Sequence, residues 1–226
     1  MSRQSFSALS MVTLATLLFT LAPDAAHPAP PDPKTISIAE ARSLPLGTVV
    51  TVDGSVTVPS GAFASSAALD QGFVIQDHTG GIYVSVPENL GFAPRQQIRV
   101  TGRLSDNVLS GLLVLIDVTD IKARPSGPKV RALPVATGAV GEATEGKLVT
   151  ITGTITQPIV NDLPFGFIIF VDDGSGEVHS FVAASTGIDV SGLSQGQTIE
   201  VTGFSGQFAG DFEVDPRFQS DIKVLP

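Results

Sequence analysis

Residues 73–86 read Phe-Val-Ile-Gln-Asp-His-Thr-Gly-Gly-Ile-Tyr-Val-Ser-Val, and this stretch decides the fold. Val74, Ile75, Ile82, Val84 and Val86 are β-branched, which suits the pleated surface of a sheet. Asp77, Thr79, Gly80 and Gly81 break the run: the first two can bond nearby backbone amides, and glycine adopts positive φ at low cost. Two β-rich runs around a short glycine-containing connection predict a hairpin. Ile82, Val84 and Val86 alternate with Tyr83 and Ser85, so one face of the second strand is expected inside. Asp77 reads first as a turn-former.

The plan recurs. Residues 167–182 repeat the hairpin around Asp173-Gly-Ser-Gly-Glu177, and Leu-Val-Thr-Ile-Thr-Gly-Thr-Ile-Thr at 148–156 matches the β-rich run at 48–58. Residues 198–204 match 97–103. The landmark offsets are 99 (Gly54 to Gly153), 96 (Asp77 to Asp173) and 101 (Gly102 to Gly203), which points to a duplicated unit of about 95 residues. Each unit carries five expected strands, a glycine within the first and fourth, and a crossover without helix between the third and fourth. In the first unit the last strand is expected over 112–121, and in the second over 218–224. Glycine inside a strand marks a bend or bulge, as small barrels need at their corners. The expectation is an all-β chain of two tandem five-stranded Greek-key barrels of OB-fold type; a β-sandwich is the competing reading. Ser37 with Glu40 three residues on is a capping box for a short helical turn, and Phe63 is expected under the loop at 60–71.

The chain has 226 residues, no Cys, no Trp and a formal net charge of −9. Without disulfides each unit must rest on its apolar core, and the negative charge disfavours bulk binding of polyanions. Arg3 followed by the uncharged apolar run 8–21 and by Ala22, Ala25 and Ala26 reads as a secretory signal over 1–26; an uncleaved N-terminal anchor is the alternative. A Pro-rich spacer, 27–34, follows. The first barrel is expected over 35–124, a linker over 125–130 and the second barrel over 131–226. The mature chain is expected outside the cytoplasm, periplasmic or extracellular, with no stable membrane insertion once the signal is removed.

The residues 38–42 (Ile-Ala-Glu-Ala-Arg), 44–57 (Leu-Pro-Leu-Gly-Thr-Val-Val-Thr-Val-Asp-Gly-Ser-Val-Thr), 73–82 and Val100-Thr-Gly102 together resemble the OB-fold domains of exported bacterial proteins. Such domains are described as nucleic-acid-binding. The resemblance covers 36 to about 124; the second repeat keeps 149–153, 173–176 and Val201-Thr-Gly203 but lacks the Gly-Gly turn. The matching residues form strands and turns, so the resemblance implies a fold and a ligand class but no chemistry.

No nucleophile elbow occurs, and His27, His78 and His179 are too few to build a zinc site within one unit. An enzyme is therefore not expected, nor a cofactor. The acidic run at 172–177 is read as a hairpin turn, with Asp172, Asp173 and Glu177 as the alternative, a weak calcium loop. Residues 35–124 hold six basic and eight acidic side chains, and residues 125–226 hold five and twelve. Any polyanion is therefore expected on the first repeat. Arg95, Arg99 and Arg103 lie four apart, with Arg99 and Arg103 on one strand face, and Tyr83 is the aromatic that would stack on a base. The expected partner is single-stranded nucleic acid through these four residues; the alternative is an extracytoplasmic protein or glycan bound at loops 60–71 and 161–165.

Overall fold

A computed structural model describes residues 34–63, 70–106 and 110–226. The expected signal and most of the spacer lie outside the described residues. Both barrels belong to one compact unit.

The first barrel opens with β1 (Thr35–Ile36) and a single helical turn, α1 (Ile38–Arg42). The Ser37 side chain accepts the Glu40 N–H at 3.1 Å, so the expected cap is present. The barrel strands are β2 (Val49–Val58), β3 (Phe73–Gln76), β4 (Gly81–Val84), β5 (Gln97–Asp106) and β6 (Leu113–Arg124). Their order β2-β3-β4-β6-β5, with β5 returning to β2, closes the sheet on itself. The β4–β6 contact is parallel and the others are antiparallel. This is the five-stranded Greek-key barrel expected from the sequence, and no sandwich forms. Its interior is β-branched and aliphatic: Val50, Val52, Val56, Ile75, Ile82, Val84, Ile98, Val100, Leu104 and Leu115, with Phe73 and Ile38 in the same cluster.

The second barrel repeats the plan with β7 (Leu133–Pro134), β8 (Leu148–Ile155), β9 (Val160–Asp162), β10 (Gly166–Asp172), β11 (Val178–Ala183), β12 (Thr198–Phe208), β13 (Asp211–Asp215) and β14 (Ile222–Val224). The closed order is β8-β10-β11-β13-β12, with β12 returning to β8. One expectation is met only in part. The fifth barrel strand is split in two, and the strand foreseen over 218–224 holds its second half. The first half is β13, which pairs with β12 through five residues and touches β11 in parallel. The short β14 continues along the same edge of β12, opposite 199–201, as residues 121–123 do on β5 in the first barrel. The sequence Asp-Phe-Glu-Val-Asp of β13 carries three acids in five residues, which masked it as a strand.

The barrels share a core of their own. Val58, Phe63, Val74, Tyr83, Leu112 and Val114 of the first pack with Ala183 and Phe204 of the second, and Phe181 joins from the side. The Phe204 ring lies 6.2 Å from that of Phe63 and 6.4 Å from that of Tyr83. Polar contacts frame this seam. Arg217 Nη1 donates to the Thr57 carbonyl at 2.6 Å, Gln76 Oε1 accepts the Leu148 N–H at 2.8 Å, and Ser185 Oγ donates to the Ala62 carbonyl at 2.7 Å. At one point backbone meets backbone: a Cβ on Gly81 would fall 1.8 Å from the Gly146 carbonyl oxygen. Among the described residues no helix is long and apolar enough to cross a membrane.

Candidate ligand-binding faces

An OB barrel binds ligands on the outer face of its second and third strands and on the loops that flank them. In the first barrel those strands are β3 and β4, and the second barrel covers their outer face. Tyr83 illustrates the consequence. Its ring is 2% exposed, and its hydroxyl donates to Asp70 Oδ1 at 2.7 Å. A ring enclosed in this way has no free side for a base, so the expected stacking role of Tyr83 is corrected. The cause is the packing of one repeat on the other, which no pattern within a single repeat encodes.

The three arginines do not form a free strip either. Arg99 forks onto Asp53, with Nε and Nη2 at 3.1 and 3.0 Å from the two carboxylate oxygens. Arg124 approaches the same Asp53 at 3.7 Å. Arg103 donates through Nε to Asp117 Oδ2 at 2.9 Å. A phosphate at either guanidinium would have to displace a bidentate or charge-assisted bond. Arg95 is exposed and stands apart. It takes a left-handed φ of +80°, and its carbonyl accepts the Gly127 N–H at 2.8 Å, which ties the linker to the first barrel.

The acidic turn of the second repeat does not gather its carboxylates. Asp172 accepts the N–H groups of Gly174 and Gly176. Asp173 accepts from Ser175 and from the backbone and hydroxyl of Thr137. The Ser175 and Thr137 hydroxyls and the Ser175 N–H hold its carboxyl well below the usual carboxylate range. Glu177 accepts from Gln157 and Thr156. The three acids serve three different hydrogen-bond sets, and among the described residues no group of three or more acids, histidines or cysteines is placed to hold a metal ion. His78 is exposed in its turn.

In the second barrel the equivalent outer face meets the seam at its Phe181 end and, among the described residues, is open toward Phe170 and His179. Register decides which side chains it carries. Ile169 and Val171 of β10 and Val178 and Val182 of β11 point into the core, so Ile168, Phe170, His179 and Phe181 point outward. The pairing sets them in two cross-strand rows. Val160 of β9 faces Ile168, which faces Phe181; Phe170 faces His179, which faces Glu213 of β13. The Phe170 and His179 rings meet edge to face at 4.7 Å and 82°. Apolar side chains of β9, of the loop after it and of the end of β12 turn to solvent: Val160 is 41% exposed, Leu163 57%, Phe165 65% and Phe208 49%. The loop at 161–165, anticipated as a contact region, borders this face; the loop at 60–71 is described only in part.

The electrostatics of the face are acidic. Burial, then the charge of Asp211, push the Glu213 carboxyl up to about 7. Burial, then Glu213, raise Asp215 well above the ordinary carboxylate range. Asp215 Oδ1 is buried without a hydrogen-bond partner among the described residues. No Lys or Arg belongs to either row. The signal that would have found this face is the period-two placement of Ile168 with Phe170 and of His179 with Phe181. Reading 167–182 only as a hairpin passed over which parity was outer.

No protein-family model matches this chain, and none of the curated proteins does. Among solved structures, a murine DNA-binding protein bound to double-stranded DNA is 14% identical, with 77% of this chain and 95% of that chain covered and a TM-score of 0.41. A HINb domain is 13% identical, with 79% and 96% covered and a TM-score of 0.35. A Replication Protein A heterotrimer bound to single-stranded DNA is 13% identical, with 82% and 51% covered and a TM-score of 0.32. At these values the likeness adds nothing to the strand pairing on which the fold rests.

Proposed function

We propose that this chain is an exported, non-catalytic binding protein, and that it takes single-stranded nucleic acid on the outer β10–β11 face of the second barrel. The observation that carries the reading is the pair of rings, Phe170 edge to face with His179, on the strands and between the loops that an OB barrel uses. Bases stack on such rings at about 1–3 kcal/mol each, whatever their sequence. With bases turned to the face, the phosphates lie outward in solvent. Their repulsion by Glu213 weakens as that carboxyl takes up its proton near pH 7. The site moves from the first repeat, where the sequence suggested it, to the second, because the seam between the barrels closes the first face.

A second reading has its own support. The face holds rings and a carboxyl but no cation, which is the chemistry that receives a neutral glycan: apolar sugar faces on rings, hydroxyls on carboxylate oxygen. Titration of the protein with a labelled oligodeoxythymidylate and with neutral oligosaccharides at about 50 mM salt separates the two. Oligonucleotide binding lost in Phe170→Ala supports the first reading. Oligosaccharide binding insensitive to salt and lost in the same variant supports the second and excludes the first. No binding of either by folded protein overturns both.

A further inference from the structure

The second half of the chain holds five basic residues, and four of them line one cleft. Lys129, Arg131, Arg217 and Lys223 surround a space of about 470 Å³, together with Leu148 of β8 and Thr202 of β12. The cleft lies along β8, β12 and β14, on the opposite side of the barrel from the β10–β11 face. Two of the four cations are spent. Arg217 forks onto Asp221 through Nε and Nη2, both at 2.9 Å, and Lys223 Nζ stands 2.6 Å from Glu200. Lys129 and Arg131 have no acidic partner among the described residues and are exposed. In a chain of net charge −9 this is a local excess of positive charge in a concave site, where low-dielectric walls strengthen the field felt by an anion.

The rest of the lining is not polar throughout. Val130, Ala132 and Leu148 give the cleft an apolar side. Outside the lining, Phe218, 40% exposed, lies under the Arg217 guanidinium at 5.3 Å from the ring centroid. A volume near 470 Å³ exceeds what a bare phosphate fills and lies in the range of small-molecule sites.

We infer that this cleft binds a nucleotide unit, its phosphate against Lys129 and Arg131 and its base against the apolar side of Val130, Ala132 and Leu148. An Arg fork matches a phosphate through paired N–H groups, and a Lys ammonium adds a point charge. The inference does not depend on the ligand of the β10–β11 face. A phosphate of this kind has two sources, a free mononucleotide or one unit of a single strand. Both put the same group in the same place.

The test measures thermal stabilisation and binding of the protein by inorganic phosphate, by adenosine monophosphate and by an oligodeoxythymidylate at about 50 mM salt. The probes are applied to the unaltered chain, to Lys129→Ala/Arg131→Ala and to Phe170→Ala. Both cations lie on an exposed segment outside the barrel strands, so the double variant folds, as circular dichroism will verify. The expected result is that adenosine monophosphate binds more tightly than phosphate, and that the double variant loses both by tenfold or more while Phe170→Ala keeps them. Binding of the oligonucleotide alone, lost in the double variant, assigns the cleft to a strand and supports the inference with that source. Failure of all three probes on folded protein, or binding unchanged in the double variant, overturns it. Loss of oligonucleotide binding in Phe170→Ala alone concerns the other face and leaves the mononucleotide result to decide this one.

Discussion

Arg42 Nη2 stands 2.7 Å from Glu145 Oε1 and joins α1 of the first barrel to the turn that precedes β8 of the second. Both side chains are largely withdrawn from solvent, at 14% and 2% exposure. The same Glu145 oxygen accepts the Leu113 N–H at 3.3 Å, so one carboxylate serves three segments. Removing one partner strands a buried charge, and such losses run to about 3–5 kcal/mol. Arg42→Ala and Glu145→Ala are each expected to lower the unfolding free energy from urea titration by that order, with the double variant losing less than the sum of the two. Because the barrels share a core, unfolding is expected as one transition. Two resolved transitions in the unaltered protein would show that the seam is weak.

Asp77 and Asp173 perform the same task in the two repeats. Asp77 Oδ2 accepts the Ile38 N–H at 2.9 Å at the start of α1, and Oδ1 accepts the Thr79 and Gly80 N–H groups of its own turn. Asp173 accepts the N–H of Thr137, at the start of the 3-10 turn Thr137–Ala139. Each carboxylate pins its hairpin to the segment that begins its barrel. Burial works upward on the Asp77 carboxyl, but the hydrogen bonds from Ile38, Thr79 and Gly80 outweigh it and the net shift is downward. A lowered folded pKa gives stability that is complete above the unfolded value and lost as pH falls through the folded one. Asp77→Ala is expected to cost about 1–2 kcal/mol at neutral pH, as lost caps do. The deficit should shrink on acidification below pH 4, followed by chemical denaturation at stepped pH.

Glu213 and Asp215 predict the opposite slope. Their folded pKa values are raised, so the native state holds protons that the unfolded chain releases. That contribution is present below the unfolded carboxylate value and is lost as pH rises through about 7 for Glu213. Between pH 5 and 7 stability should therefore decline with rising pH, by at most about 1.4 kcal/mol per pH unit for each proton involved. Glu213→Gln is expected to flatten that decline. A Tm that rises steadily across this window in both proteins would contradict the assignment.

The glycines show how far the sequence could be read. A Cβ on Gly153 would lie 2.7 Å from the Asp172 backbone, and one on Gly203 would lie 2.6 Å from that of Asp215. The repeated mid-strand glycines thus mark places where a neighbouring strand crosses too closely for a side chain, which is why their spacing disclosed a duplicated barrel. Either Gly→Ala change is expected to destabilise by several kcal/mol or to block folding, read by denaturant titration. The two faces were harder to read. Tyr83 looks like an outward ring in its own repeat and becomes interior only because Phe204, more than a hundred residues later, packs beside it. The cleft has a visible signal around the linker expected over 125–130: residues 122–131 hold Lys122, Arg124, Lys129 and Arg131 and no acid. What closes the cleft, Leu148, Thr202 and Lys223, comes from strands whose neighbourhood only the barrel sets.

The most direct measurement compares three proteins titrated with a labelled oligodeoxythymidylate by fluorescence anisotropy at low salt: the unaltered chain, Phe170→Ala/His179→Ala, and Arg99→Ala/Arg103→Ala. The account predicts that the ring variant weakens binding by about tenfold or more, at about 1–3 kcal/mol per stacked base, and that the arginine variant binds as the unaltered chain does. Binding abolished by the arginine pair and untouched by loss of the rings would contradict it.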